Sequence, residues 1–425
     1  MRLSKSLAAI MGIATAMVLT VAPSASAAPD FYTPPSPLPS GSNGDLIRTG
    51  PSVLVPSVPG VNGQFPGTAT RLMYRSEDAN DKPIAVTGTY IDPALDWTGK
   101  GPRPVVAVAP GTQGQGDQCA PSKMLNQLIT YAPPLDVMVE YELLTINALL
   151  LQGIAVVMTD YQGLGTPGNH TYVNRAAEAH AVLDSVRAAQ SLPGTKITPD
   201  APVGMWGYSQ GGGATAAAAE LAGEYAPELD IKGTYAGAPP ADLAATLAQV
   251  DGTSLTGVIG YTLNGLRESN PELNPTIDDN INPAGQQMLA TVANQCVGAT
   301  VLSVGFHRTN EFTKTGQSLS DLLKSIPIAG EVFAANKIGN RTPTAPVYIG
   351  TGSTDDIVPH GQAVELAGDW CAKGANVQLD TVPLPPIFPG LGAGHALPLL
   401  INEIPAMKWL GDRLNDVPTA GNCAG

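Results

Sequence analysis

The chain has 425 residues, 43% hydrophobic and only 14% charged, with 47 Gly and 39 Pro. This composition excludes a disordered or fibrous chain and fits a loop-rich globular protein with a large core. The formal charge of −14 argues against a nucleic-acid partner, which needs a basic footprint, but not against contact with a lipid interface, which an apolar patch can drive.

Residues 1–27 read as a secretory signal peptide. Arg2 and Lys5 form a basic start, Leu7 to Ala22 an apolar run, and Ala25-Ser26-Ala27 a small-x-small cleavage signal. Cleavage is expected near Ala27, giving a secreted chain. The run is too short, and too soon followed by Pro23, for a membrane span. Losing Arg2 and Lys5 takes the formal charge from −14 to −16. Four cysteines remain: Cys119, Cys296, Cys371 and Cys423. An even count in an exported chain favours two disulfides, with three pairings open.

Residues 28–60 are rich in Pro, Ser and Gly and read as an extended N-terminal arm without structure of its own. Thr70–Arg75 and Ile84–Ile91 alternate as two antiparallel strands turning near Asn80-Asp81. Pro104–Ala109 and Ile154–Asp160 are short apolar runs suited to strands buried on both faces. Val137–Leu151 is compatible with a helix. Arg175–Ala189 is a second helix, stopped before Pro193. Val203–Tyr208 and Ile231–Ala236 are further strands. Strands alternating with helices imply βαβ units and a mostly parallel central sheet flanked by helices, an α/β fold.

Residues 240–340 break the alternation. Asp242–Gln249, Leu255–Leu263, Gln286–Val301 and Leu319–Lys324 are helical pieces with no buried strand among them. This is a helical cap inserted before the last strands; its apolar faces either line a substrate or bury one another. The sheet resumes at Ala345–Thr351 and Val377–Val382, and Leu397–Leu414 is the last helix. The expected organisation is therefore arm 28–60, core 61–239, cap 240–340 and core again 341–425.

The chemistry centres on Gly207-Tyr208-Ser209-Gln210-Gly211. The letters G-x-S-x-G are weak alone, but here an apolar strand leads in and an alanine-rich helix leads out. That is the context of a nucleophile elbow, in an α/β-hydrolase fold. A serine needs a base to take its proton, and the base is usually histidine. In this fold the chain order is Ser, acid, His, which removes His170 and His180. His307 falls in the cap. Of His360 and His395, the glycine loop Gly392-Ala-Gly-His395 after the last strand favours His395. The acid is expected after Ala345–Thr351, where Asp355 and Asp356 compete; the D-x-x-V-P run favours Asp355. The oxyanion needs two N–H donors. Gln210 supplies one, and Thr112 or Gln113 in Gly111-Thr-Gln-Gly114 supplies the other. No cofactor or metal motif is present: H-E-x-x-H and C-x-x-C are lacking, and Asp278-Asp-Asn-Ile-Asn282 lacks the spacing of a calcium loop.

These residues carry a family resemblance. Asp117-Gln-Cys-Ala-Pro-Ser122, Asp160-Tyr-Gln-Gly-Leu-Gly-Thr-Pro167, Gly207-Tyr-Ser-Gln-Gly211, Asp355-Asp-Ile-Val-Pro359 and Gly394-His-Ala396 resemble, in order, the secretory lipases, a lipase-A-like group of α/β-hydrolases, especially their actinobacterial members. The resemblance implies a cap over the site and hydrolysis of acylglycerols or other long-chain esters. It implies a triad of Ser209, Asp355 and His395. It also implies a disulfide from Cys119 to the cap at Cys296, leaving Cys371 with Cys423. Two departures stand out: Gln210 where several fungal members have Gly, and Pro110-Gly-Thr112 where the family has His-Gly-Thr. An esterase or acyltransferase acting on cell-envelope or polyester substrates would use the same triad. A binding protein on a hydrolase scaffold would not need it. The partner implied in each case is an ester or lipid, with no obligate protein partner.

Overall fold

A computed structural model describes residues 30–60, 63–132 and 136–423. Residues 1–27, expected to form a signal peptide, lie outside the described residues. Among the described residues nine strands form one sheet: β1 (Leu46–Pro51), β2 (Gly67–Glu77), β3 (Pro83–Pro93), β4 (Val105–Ala109), β5 (Ala155–Thr159), β6 (Val203–Tyr208), β7 (Ile231–Gly237), β8 (Val347–Gly352) and β9 (Val377–Val382). Their order across the sheet is β1-β2-β3-β5-β4-β6-β7-β8-β9. From β5 to β9 the neighbours run parallel; β1, β2 and β3 add an antiparallel flank.

The period of two along each strand divides the core. Val105, Ala107 and Ala109 face the helices Arg175–Ser191, Gln210–Tyr225 and His360–Ala372. Val106 and Val108 face the opposite layer, the helices Leu143–Leu150 and Ala393–Leu414. Both faces are covered, so these strands read as unbroken apolar runs.

Between β7 and β8 the chain makes short helices with their own apolar core. Val250, Ile259, Tyr261 and Val292 are buried there against Ile357 and Val358. Cys119–Cys296 ties this cap to the loop after β4, and Cys371–Cys423 ties the last residues to the helix beside β9. The chain-entropy model gives the 177-residue loop roughly 5 kcal/mol of stabilisation.

Four sequence expectations need correction. The arm is not structureless: Leu46–Pro51 joins the sheet edge beside β2, and Val58–Gly60 pairs with Gly63–Phe65. Val137–Leu151 is not one helix. Asp136–Val139 is a strand paired with Ile129–Ala132, and the helix begins at Leu143. A continuous apolar run does not reveal its own period, so such mixtures are easily read as one element. Gln286–Val301 is broken at Cys296, where the disulfide holds the chain between the helices Pro283–Val292 and Val297–Val304. The last helix starts at Ala393, so His395 sits in its first turn and not on a free glycine loop.

Candidate active site

Ser209 alone makes the turn between β6 and the helix Gln210–Tyr225. Its backbone is at φ 58° and ψ −122°, a left-handed conformation that costs a non-glycine residue about 1–3 kcal/mol. The surroundings hold it there. Ser209 N–H donates to the Gly237 carbonyl at 2.9 Å, and the Ser209 carbonyl accepts from Gly213 N–H at 3.0 Å. The motif glycines are required by close approach. A Cβ on Gly207 would fall 2.2 Å from the Gly211 carbonyl oxygen, and one on Gly211 would fall 2.0 Å from that of Ala109. The turn closes against β4 only because both are bare backbone.

On the side of Tyr208, the residue before Ser209, stands His395, with ring centroids 5.2 Å apart. Its Nδ1 donates to Asp355 Oδ2 at 2.7 Å, and the pair is buried. Asp355 Oδ1 accepts from Ile357 N–H and Val358 N–H, both at 2.9 Å. The adjacent Asp356 has a different task. It accepts from Gly390 N–H at 2.8 Å, Gly392 N–H at 2.9 Å and His395 N–H at 3.2 Å. It thereby satisfies donors at the start of the last helix from a distance of 34 to 39 residues. The two neighbouring carboxylates thus divide into one that holds the imidazole and one that holds its backbone. Tyr208 Oη donates to the His395 carbonyl at 2.7 Å, so the residue before the serine also fixes the histidine. Ser209 Oγ has no hydrogen bond to a described protein atom. In unliganded hydrolases that bond is often long and tightens with substrate.

His360 and His307 are placed elsewhere. His360 begins the helix His360–Ala372, with its Nδ1 buried and unpartnered; burial lowers its pKa, opposed by the nearby Asp355. His307 pairs with Glu311 in the cap at 2.7 Å.

On the other side lies the loop after β4. Thr112 Oγ1 is 2.7 Å from Tyr172 Oη. Gly111 N–H is spent on Glu142 Oε1 at 2.8 Å, and the Gln113 carbonyl accepts from Val297 N–H of the cap at 2.8 Å. The N–H groups of Thr112 and Gln113 take no acceptor among the described residues. The Gln210 N–H lies in the first turn of its helix, where donors have no intrahelical partner. The Gln210 side chain is buried and spends its amide on Glu178 Oε1 at 2.7 Å and His170 Nε2 at 2.9 Å. Burial pushes the Glu178 carboxyl up to about 8, opposed by its bonds from Gln210 and Val173. Burial pushes His170 down to about 4, so its ring is neutral and can accept from Gln210. Tyr172, Tyr208, Glu142, Glu178 and His170 were invisible as a group in the sequence, because they come from four separate segments.

An apolar slot opens from Ser209 into the cap. Thr112, Gln210, Leu243, Leu247, Val250 and Val258 help line it, and its free space is ≈ 30 Å³. That admits a water or two. One cluster has metal-ligating types, Cys119, Asp136 and Cys296, but its two sulfurs are bonded to each other. Asp136 is occupied by Cys296 N–H at 2.9 Å and Gln118 Nε2 at 2.6 Å, so the group does not suit an ion. No helix among the described residues is long and apolar enough to cross a membrane.

Comparison with known proteins gives the family and the fold of the chain. The family model described as "Secretory lipase" matches residues 130–422. A protein named as a probable inactive lipase of Mycobacterium tuberculosis is 32% identical over 91% of this chain and 82% of its own length. The secreted triacylglycerol lipase LIP3 of Malassezia restricta is 28% identical over 91% of this chain and 79% of its own length. Among solved structures, Candida antarctica lipase A in its closed state superposes with a TM-score of 0.76 at 24% identity, covering 92% of this chain and 86% of that one. The rice cell wall degrading esterase LipA of Xanthomonas oryzae superposes at 0.69 with 17% identity, over 88% and 99%. Both similarities establish the α/β-hydrolase fold.

Proposed function

The chain belongs to the secretory lipase family, and from that premise we propose that it is a secreted serine hydrolase of carboxylic esters, triacylglycerols foremost, released by cleavage near Ala27. Membership alone does not carry catalysis, since a relative is named as inactive. What carries it is one juxtaposition: a serine held in a left-handed turn, with a carboxylate-bound histidine anchored through the residue next to it.

In this reading Ser209 Oγ attacks the ester carbonyl carbon while His395 Nε2 takes its proton. Asp355 holds the Nδ1–H tautomer and stabilises the imidazolium. The oxyanion is met by the N–H of Gln210 and one from the Thr112–Gln113 stretch. His395 returns its proton to the departing alkoxide. Water, deprotonated by His395, then cleaves the acyl-enzyme. The Leu243–Val258 wall of the slot receives the acyl chain, which makes residues 240–340 a substrate-lining cap.

A lipid surface fits the outer face. Phe388, Leu391, Leu400, Ile401 and Ile404 are exposed around the His395 segment, and Leu302 and Phe306 are exposed on the cap. The two sets meet through Phe306 N–H to the Thr253 carbonyl and Ser254 N–H to the Gly390 carbonyl, both 2.7 Å. No Lys or Arg occurs from 383 to 407 or from 297 to 306, so apolar insertion and not charge would drive adsorption.

The test is turnover of p-nitrophenyl esters from acetyl to palmitoyl by the wild type and Ser209→Ala. The variant is expected to fold and to lose about five orders of magnitude in kcat. Undiminished turnover in it would end the proposal. Adsorption to uncharged lipid vesicles is expected to survive high salt and to weaken in Ile404→Asp; loss of adsorption in salt alone would contradict the apolar face.

A further inference from the structure

The segment Glu140-Tyr141-Glu142 takes no part in the chemistry above, yet it holds the loop after β4 at two peptide units, one on each side of the 111–112 peptide. Gly111 N–H donates to Glu142 Oε1 at 2.8 Å in a buried contact. Tyr141 Oη donates to the Thr112 carbonyl at 3.1 Å. From the opposite side Tyr161 Oη donates to the Pro110 carbonyl at 2.9 Å. The contact is close: a Cβ on Gly111 would fall 2.6 Å from Tyr141 Oη and 3.1 Å from the Tyr208 carbonyl oxygen.

The consequence follows from peptide planarity. The 110–111 peptide is fixed at both its polar atoms, the carbonyl by Tyr161 and the N–H by Glu142. The 112–113 peptide is fixed at its carbonyl by Tyr141. Between them lies the 111–112 peptide, whose N–H belongs to Thr112. With planes on both sides held, that N–H has little freedom to turn. Glu142 also removes Gly111 N–H from the candidates for oxyanion donor, leaving Thr112 as the first free donor of the loop, and Thr112 lines the slot with Ser209.

Glu142 is chemically unusual for a purely structural acceptor. It is buried, has no Lys or Arg partner among the described residues, and lies beside the equally buried Glu140, whose Oε1 accepts the Glu142 N–H at 3.2 Å. Burial raises the Glu142 carboxyl above the ordinary range; the Gly111 bond opposes this and Glu403 of the last helix adds to it.

We propose that Glu142 is a positioning residue of the oxyanion site, which accepts the Gly111 N–H so that Thr112 N–H is presented to the substrate oxygen. The inference rests on the reading of Ser209 as nucleophile. It requires an acceptor at Glu142 Oε1 and no charge there, so Glu142→Gln preserves it and Glu142→Ala does not.

The experiment measures kcat and KM for a p-nitrophenyl ester and for the matching thionoester, whose sulfur is a poor hydrogen-bond acceptor. Glu142→Ala is expected to lower kcat about 10- to 100-fold, less than removal of a donor outright, with KM within about twofold. Its preference for oxygen over sulfur ester should shrink by a similar factor. Glu142→Gln should keep kcat within about threefold and retain the preference. Should Glu142→Ala fail to fold, Tyr141→Phe frees the Thr112 carbonyl and is expected to lower kcat and the oxygen preference several-fold. The inference is overturned if kcat and the oxygen preference survive in the folded Ala variant, or if Gln loses as much as Ala. A wild type that turns over no ester removes the nucleophile reading first, and this inference with it. A wild type that is active while Glu142→Ala matches it removes this inference alone.

Discussion

The two sides of the proposed reaction centre are both held by buried carboxylates, but in opposite manners. On the base side Asp355 accepts three hydrogen bonds, two of them from backbone N–H groups two and three residues ahead. On the oxyanion side Glu142 accepts one N–H from Gly111, 31 residues away, and lies beside a second buried acid. The first is a local turn that any D-x-x-V-P run can make by itself. The second exists only once the fold has brought two loops together. The carboxylate of the base side is therefore set by its own turn, with only its bond to His395 reaching across 40 residues, whereas the carboxylate of the oxyanion side is set by tertiary structure alone.

The largest test of this contrast lies within the base side. Asp355→Asn should strand His395 in the wrong tautomer and lower kcat by about four orders of magnitude. Asp356→Asn should cost only about tenfold, because it loosens the start of the last helix without touching the imidazole. Steady-state kinetics on a dissolved ester decides the matter; an equal or larger loss at Asp356 would reverse the division of roles.

A smaller effect concerns stability. Glu178 behind Gln210 takes its proton at about 8 in the folded chain, against an ordinary 4.5, and burial raises Glu140 and Glu142 in the same direction. The folded state binds these protons more tightly than the unfolded one. Their contribution is full below about 4.5 and is lost as pH rises through about 8. His170, with its pKa lowered to about 4, acts in the opposite sense only below its ordinary 6.5. Thermal unfolding between pH 6.5 and 8.5 should therefore show a falling Tm, with a shallower fall in Glu178→Gln. A Tm that climbs with pH across that window would contradict the burial of these acids.

The same contrast explains what could be read in the sequence. Ser209 was legible because strand, glycine turn and small-residue helix are contiguous. Asp355 was legible for the same reason. For His395, chain order leaves His360 as a rival, and the glycine loop that favours His395 is itself the start of a helix. Gly392-Ala-Gly-His395 reads as a free loop in the sequence, with the last helix beginning at Leu397. Asp356, 39 residues away from His395, binds the N–H groups that let the helix begin at Ala393. The parallel strands were legible because burial on both faces leaves them uniformly apolar. The cap was legible only as helical. Its helices Asn274–Asn280 and Pro327–Asn336 are too short, at 7 and 10 residues, to show a clear helical period in the sequence. The choice between Thr112 and Gln113 could not be made from sequence, since the constraints on that loop come from Glu142, Tyr141 and Tyr161.

The central claim is that Ser209 is a nucleophile activated in place, and active-site phosphonylation tests it most directly. Incubation with a p-nitrophenyl alkylphosphonate should release one nitrophenol per chain. Peptide mass analysis should place the adduct on Ser209, with Ser209→Ala unlabelled and His395→Ala labelled far more slowly. A wild type that remains unmodified, or an adduct on any other residue, would contradict the account.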